Sequence, residues 1–323
     1  MSYNQLTLQK RYQISALQKV GYNQKDIAKE LSVHPSTISR ELRRNRDSVR
    51  GYQPELAQIK STKTQMQKKK RFSLTKTIEK YIRAKLKLDW SPEQISGRMR
   101  LDIGVFVVHE TIYRYIYDNK ANGGKLYKSL RHKNKKYHNR SNNYMARGTL
   151  IDRVMIDQRP KIVDKKSRIG DLEIDTVIGK NHVGALVTVV DRKSKFTLIK
   201  NVPTKEARVV AKALVEMLQP IKAITHTITS DNGKEFAYHK EIAAALDAKF
   251  YFANPYHSWE RGLNEHTNGL IRQYLPKKSE FINVSKDEII MIQNRLNHRP
   301  RKVLGYKTPY EVFFSEMSRE LAS

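Results

Sequence analysis

Three carboxylates stand where side chains of their kind can do chemistry in this 323-residue chain. Asp175 falls inside the apolar run Gly170 to Gly179, where a charge is costly unless a cation or partner compensates it. Asp231 follows the run Thr225 to Thr229, at the carboxyl end of a predicted strand, where open α/β sheets build their sites. Glu265 lies in a predicted helix, Trp259 to Tyr274. Two strands and a helix can converge three such groups to hold hard divalent cations by oxygen. Two ions about 3.5–4 Å apart activate an attacking oxygen and stabilise the leaving one in a phosphodiester displacement. Each acidic residue taken singly reads as a cap or surface charge, so the case rests on their joint placement. Glu173 shares the strand face of Asp175 at a two-residue offset, and reads either as a ligand or as a solvated neighbour.

The elements that must position these groups are legible in the periodicity. Strands are predicted at Gly170–Gly179, Ala185–Val190, Phe196–Val202, Thr225–Thr229 and Lys249–Ala253, with helices over Thr204–Leu218, Glu235–Leu246, Trp259–Tyr274 and Lys286–Asn297. In the first strand Leu172, Ile174, Thr176 and Ile178 alternate with Asp171, Glu173, Asp175 and Val177. Three hairpin-connected strands followed by alternating helix and strand predict a mixed five-stranded α/β sheet with helices.

The rest of the chain is basic. Lys and Arg number 62 against 32 Asp and Glu, a formal net charge of +30. Residues 1–165 hold 37 basic and 14 acidic residues, so most of the excess lies in that half. Such an imbalance points to a polyanionic partner, with nucleic acid first and an anionic membrane surface second. Cysteine is absent, which excludes disulfide scaffolds, thiol nucleophiles and Cys-type metal sites. Near the N-terminus, apolar positions Leu6, Ile14, Leu17 and Val20, then Ile27, Ala28 and Leu31, then Ile38 and Leu42, predict three helices with a tight turn at Ser32-Val33. This is helix-turn-helix patterning, with Ala28 allowing close approach and Val33 plugging the corner. The helix Pro35 to Arg44 would enter a major groove, with Ser36, Thr37 and Arg40 at base edges and Arg43 and Arg44 nearer phosphate. His34 stands where a Ser-type cap is commoner.

A second helical unit starts at Ser91-Pro92, with Ser as cap, and continues through Val107–Ile116, where Arg114 is a further candidate DNA contact. It reads as a second helix-turn-helix or as a packing domain with Trp90 in its core. Lys60 to Lys76, containing Lys68-Lys69-Lys70-Arg71, and Asp118 to Gly148 read as basic connectors. Tyr127, Tyr137 and Tyr144 in the latter either stack on bases or pack locally. The expected division is 1–50 helix-turn-helix, 51–80 basic linker, 81–117 second helical domain, 118–165 basic connector and 166–323 catalytic core.

Three blocks then carry a resemblance: Glu173-Ile174-Asp175-Thr176, Ser230-Asp231-Asn232-Gly233-Lys234-Glu235-Phe236, and the segment from Trp259 through Asn264-Glu265-His266 to Arg272. They resemble the signature blocks of the Asp-Asp-Glu transposase and integrase superfamily, which shows a spacing close to the 33 residues between Asp231 and Glu265. The third block, with Asp191-Arg192-Lys193-Ser194, resembles the bacterial insertion sequence thirty transposase family, over about the whole chain. The resemblance implies a multidomain protein, with α-helical N-terminal helix-turn-helix units followed by an α/β ribonuclease-H-like catalytic core. It implies that Asp175, Asp231 and Glu265 are catalytic and bind two Mg2+ (or Mn2+) ions. Water would cut an element end to release a 3′-hydroxyl, and that hydroxyl would attack target DNA without a covalent protein–DNA intermediate. Arg272, two helical turns after Glu265 and on the same face, matches a basic residue the family keeps and would contact phosphate. Asn264, His266 and Asn268 flank Glu265 and would orient DNA or the groups around the metal. The implied partners are double-stranded DNA, as terminal inverted repeats and as target, and a second copy of the chain in a homodimer or larger assembly. No membrane partner is expected, because the longest apolar stretch, Gly184 to Val190, is far short of a span. With no apolar signal region at its N-terminus, the chain is expected in the bacterial cytoplasm, on the nucleoid.

Other readings are weaker. His298-Arg299-Pro300-Arg301, followed by Tyr306 and Tyr310, has the spacing of a tyrosine recombinase motif, but the tyrosines lie too near. A DNA-binding regulator derived from a transposase would need only the N-terminal half, not three carboxylates and Arg272. A ribonuclease-H-like nuclease without strand transfer shares the site but needs no sequence-specific reader. The His/Cys zinc module of retroviral-type integrases cannot be built without cysteine.

Overall fold

Side-chain caps set the helix starts in the computed structural model, which describes residues 5–47, 50–67, 74–131, 152–255, 257–277 and 279–322. The chain divides into two units, Met1–Leu74 and Thr75–Ser323. In the first, α1 (Leu8–Lys19) opens at Thr7, whose hydroxyl accepts from the Lys10 amide, and α2 (Gln24–Glu30) opens at Asn23, whose side chain accepts from Lys25 and Asp26. Before α3 (Pro35–Asn45) the capping acceptor is imidazole: Nδ1 of His34 lies 3.2 Å from the Ser36 amide. Ile14, Ile27, Ala28, Ile38 and Leu42 form the buried core, with Leu6, Leu17 and Val33 packed against it. Val20, expected on that face, is 76% exposed at the end of α1. Arg11 is buried instead, and its Nε donates to Glu41 at 2.7 Å, tying α1 to α3.

A two-residue antiparallel ladder, β1 (Arg46–Asp47) with β2 (Gly51–Tyr52), leads into α4 (Pro54–Gln67). This helix lies inside the stretch expected as a linker. It packs Ala57 into the helix-turn-helix core but leaves Leu56 and Ile59 exposed, so it carries almost no amphipathic signal. The run Lys68 to Arg71, with Tyr137 and Tyr144, lies outside the described residues.

The second unit begins with α5 (Lys76–Lys87), α6 (Pro92–Ile103) and α7 (His109–Ala121). Ser91 starts α6 with a reciprocal capping box to Gln94. Trp90, Ile82, Ile95, Met99, Ile112 and Ile116 are buried. The turn between α6 and α7 is shorter than expected, because α6 runs on to Ile103 and ends at left-handed Gly104. Arg98 on α6 donates through both terminal nitrogens to the Glu311 carboxylate, each at 2.6 Å. The stretch expected as a connector holds short helix at α8 (Lys161–Lys165).

The core sheet contains β3 (Asp171–Ile178), β4 (Ala185–Asp191), β5 (Thr197–Val202), β6 (Thr227–Ser230) and β7 (Lys249–Phe252), in the order β5-β4-β3-β6-β7. Neighbours among β3, β4 and β5 are antiparallel, and β6 and β7 run parallel to β3. The mixed five-stranded sheet is as expected. The helices are α9 (Ala207–Leu218), α10 (His239–Leu246), α11 (Gly262–Tyr274), α12 (Lys286–Asn297) and α13 (Pro309–Glu320), the last not read from the sequence. Leu172, Ile174 and Val187 face a core with Val210 and Leu214 of α9 and Ile242 of α10. On the other face, Val177, Leu186 and Ile199 meet Ile271 of α11 and Ile292 and Leu296 of α12.

Both faces are therefore covered, and the acidic half of the β3 alternation goes into protein rather than water. Asp171 is fully buried and accepts two bonds from Arg168 and one from Thr227. Side-chain amides close the β5 edge: Asn297 accepts from the Thr197 amide and donates to its carbonyl, both at 2.8 Å, and Gln293 accepts from the Ile199 amide. At the other edge, Met155 bridges Phe252 of β7.

Gly170 enters β3 at φ +81°, where an added Cβ would fall 1.6 Å from the Ile224 carbonyl oxygen. Gly170→Ala is expected to cost at least about 2 kcal/mol, from backbone strain and collision together. Urea denaturation of wild type and variant checks this.

Candidate active site

Strand register sets the first carboxylate. Asp175 lies midway along β3 opposite Thr188 of β4. Its Oδ1 accepts from the Thr176 amide at 2.9 Å and its Oδ2 from the Asn268 amide group of α11 at 2.8 Å. The neighbouring parallel strand β6 ends at Ser230, which puts Asp231 at the carboxyl end of the sheet. There Asp231 Oδ1 accepts from the Gly233 amide at 2.9 Å, closing the turn of its own loop. Arg261, the residue before α11, spans the two carboxylates, 3.5 Å from Asp175 Oδ2 and 3.6 Å from Asp231 Oδ2. Burial pushes the Asp175 carboxyl up to about 6; Arg261 draws it down and Asp231 raises it further.

Glu265 is exposed on α11. The helix carrying it is pinned to β3 from one residue earlier, where the Asn264 amide group donates to the Ile174 carbonyl at 3.0 Å. Two of the three expected carboxylates are thus drawn to one cation. Among the described residues no three His, Cys, Asp or Glu side chains gather at metal-binding separation. Asp175 and Asp231 are hard oxygen donors already sharing a guanidinium, and this chemistry suits Mg2+ or Mn2+.

Glu173 is not the solvated neighbour. It is 2% exposed and accepts from Arg192 at 2.6 Å, on the face covered by α11. Asn264, expected among the DNA contacts, is fully buried, so its amide serves the α11–β3 junction and not a ligand outside. Asn268 likewise spends its amide on Asp175. Arg272 donates to the carbonyls of Ile178 and Pro276 and lies over the Phe281 ring, so these bonds brace the end of α11. His266 keeps part of its surface in solvent, while partial desolvation of the rest, then the charges of Arg301, Arg131 and Arg299, lower its pKa. In the first unit Arg40, Arg43 and Arg44 are exposed on α3, while Ser36 and Thr37 are half-buried and Ser36 engages His34. Arg114 is exposed on α7.

Sequence reading missed Arg261 and Glu235. The Thr176 hydroxyl donates to Glu235 at 2.9 Å, and a Cβ on Gly233 would fall 2.4 Å from a Glu235 oxygen and 2.8 Å from an Asp231 oxygen. The signal was available in their membership of the second and third blocks.

The helix-turn-helix domain model matches residues 2–45, and the integrase core domain model matches residues 166–258. A helix-turn-helix reader joined to an integrase-type, ribonuclease-H-like core defines the class. The transposase for insertion sequence element IS4351 of Bacteroides fragilis is 50% identical over 309 residues, 95% of each chain. Transposase InsI for insertion sequence element IS30A of Escherichia coli (strain K12) is 34% identical over 325 residues, 95% of this chain and 82% of that one. The chain belongs to the IS30 family of insertion-sequence transposases. The solved catalytic core domain of BIV integrase matches 47% of this chain and 98% of its own, at 19% identity and a TM-score of 0.36. No described helix is long and apolar enough to cross a membrane.

Glu173 and Asp175 separate by stability and activity. Glu173→Gln leaves the buried Arg192 with only the exposed Asp164 carboxylate at 3.5 Å and is expected to cost about 3 kcal/mol while the folded protein still cleaves DNA. The Asp175 carboxyl holds its proton more tightly folded than unfolded, so its ionisation removes stability as pH rises from 3.8 through about 6. Asp175→Asn is therefore expected to stabilise the metal-free protein at pH 7 by about 2 kcal/mol, with little difference at pH 4, while cleavage is lost. Thermal melts at the two pH values and single-turnover cleavage read both variants.

Proposed function

We propose that this transposase binds the terminal inverted repeats of its element, cleaves each end to leave a 3′-hydroxyl, and joins that end to target DNA. The observation that supports the chemistry best is the pair Asp175 and Asp231, placed on adjacent parallel strands and sharing one cationic group. Asp175, Asp231 and Glu265 would hold Mg2+ or Mn2+. Bound there, the metal supplies Lewis-acid activation of the attacking oxygen and stabilisation of the leaving one.

The chain's own residues do the rest. Asn268 holds one Asp175 oxygen, and the Thr176 amide holds the other. Asn264 keeps α11 on β3, which fixes the height of Glu265 beside the sheet. In cleavage, water attacks phosphorus, the 3′ oxygen leaves and takes a proton, and phosphate stays on the other strand end. In joining, the new 3′-hydroxyl attacks a target phosphodiester, and the target's own 3′ oxygen leaves. Bond count is conserved, so no external energy source is required. On the reader unit, Arg40 of α3 would contact base edges with Ser36 and Thr37, and Arg43 and Arg44 would contact phosphate. Two element ends must be paired, so at least two copies would act together on DNA.

The test uses a labelled duplex bearing the element's terminal repeat, with Mg2+ or EDTA, and compares wild type with Glu265→Gln. Release of a 3′-hydroxyl by wild type in Mg2+ alone, lost in a variant that still binds the duplex, is the expected result. Binding by both proteins with cleavage by neither would overturn the enzymatic reading in favour of a regulator.

A further inference from the structure

Between α12 and α13 the chain carries Arg299 and Arg301 against α11, and neither guanidinium has a carboxylate of its own among the described residues. Arg299 is 3% exposed. Its terminal nitrogens donate to Tyr274 Oη at 2.7 Å and Gln273 Oε1 at 3.3 Å, and it reaches Asp89 only through the Tyr274 hydroxyl. Arg301 donates to the Leu296 carbonyl at 3.2 Å. The Nε of each arginine is buried without a hydrogen-bond partner. A third guanidinium, that of Arg131, lies 3.3 Å from where a Cβ on Gly269 would stand. His266, Gly269 and Gln273 share one face of α11, so the three arginines gather beside the helix that carries Glu265.

Buried donors without acceptors and clustered like charges both cost stability. Arg299 braces the end of α11 through Tyr274 and Gln273, whereas the only hydrogen bond the Arg301 guanidinium makes among the described residues is to the Leu296 carbonyl. The cost is recovered when an anion arrives, and the planar guanidinium matches the geometry of phosphate.

The cluster opens into a groove. Arg301 and His266 line a cavity of about 1240 Å³ together with Lys161, Lys166, Lys195 and Lys307. The groove's carboxylates are engaged within its own wall, which leaves its lysines in excess. Asp164 and Glu173 pair with Arg159 and Arg192, and Glu260 and Asp157 accept from Asn254. Lys161 and Lys166 are exposed and make no ion pair among the described residues. Burial, then the charge of Lys166, lowers the Lys195 pKa to about 8 against the pull of Asp191 and Glu173.

We propose that Arg301 and the lysine-lined groove form a phosphate-binding track that holds a DNA backbone beside the helix that carries Glu265, with Arg299 behind them adding its charge. This rests on the transposase reading above, and it assigns that reading a second DNA-contacting surface, apart from the helix-turn-helix. The shared ligand chemistry is the duplex phosphodiester backbone, whose source is either the element's end or the target.

The experiment measures equilibrium binding of the full chain to two duplexes of equal length, one with the terminal repeat and one unrelated, over a salt series. Arg301→Gln is compared with the triple variant Lys161→Gln, Lys166→Gln, Lys307→Gln, whose exposed side chains are not needed for folding. Removing a charge that neutralises one phosphate should reduce the slope of log K against log salt by about 0.9, so a decrease of about 2–3 is expected for the triple variant. A tenfold or greater weakening of affinity should accompany it. Weakening on the terminal-repeat duplex alone assigns the track to the element's end, weakening on the unrelated duplex alone assigns it to target, and weakening on both assigns it to either backbone. Unchanged slope and affinity on both duplexes, in a triple variant that melts as wild type does, overturns the track. Binding is scored without metal, so failure of wild type to cleave in Mg2+ would sink the transposase mechanism and leave this result readable.

Discussion

Two carboxylates on adjacent strands repel one another, and the core of this protein is organised around holding them there. Asp175 and Asp231 come from the β3–β6 pair, one within its strand and the other just past the end of its own. The sheet fixes their separation, and burial raises the cost of charge on Asp175. Arg261 answers that cost in the structure by spanning both groups. A divalent cation would answer it more strongly, since it brings two charges to oxygens already oriented by Thr176, Asn268 and Gly233. The electrostatic tension is the same property that makes the site useful.

Around this pair the protein treats other buried charges differently. Asp171 is met by Arg168 and Thr227, Glu173 by Arg192, and Asp191 by the Gly170 and Ser194 amides and the Ser194 hydroxyl. Each is met within the protein, although Glu173 keeps one buried oxygen without a hydrogen-bond partner. At Asp175 and Asp231 the shared guanidinium stands 3.5 and 3.6 Å away, at the outer limit of hydrogen-bond length. The neutralised acids brace the strands.

Much of the core was legible because its periodicity is strong. All five strands, the hairpins and the helices that follow them emerge from alternation and apolar runs. The Ser91 cap and the helix-turn-helix core follow from local chemistry. The rest depended on tertiary context. α4 hides because it buries Ala57 and leaves Leu56 and Ile59 outside. The half-polar look of β3 suggests one wet face, yet α11 and α12 cover it, and this is why Glu173 became a structural group. Asn264 flanks Glu265 in sequence, but a one-residue step turns a helix by about 100°, which places it inward and its neighbour outward. Arg261 gives no periodic signal, because its role comes from the loop that delivers it.

The sheet's two margins have a consequence for assembly. Asn297 and Gln293 occupy the outward hydrogen-bonding groups of β5, and Met155 overlies β7 at the opposite margin. An exposed margin is a template on which another chain can add a strand, and in a protein concentrated along DNA that would invite uncontrolled polymerisation. Here each side is covered at one end, at Thr197 and Ile199 of β5 and at Phe252 of β7. Strand addition at those points is blocked by the protein's own side chains and backbone.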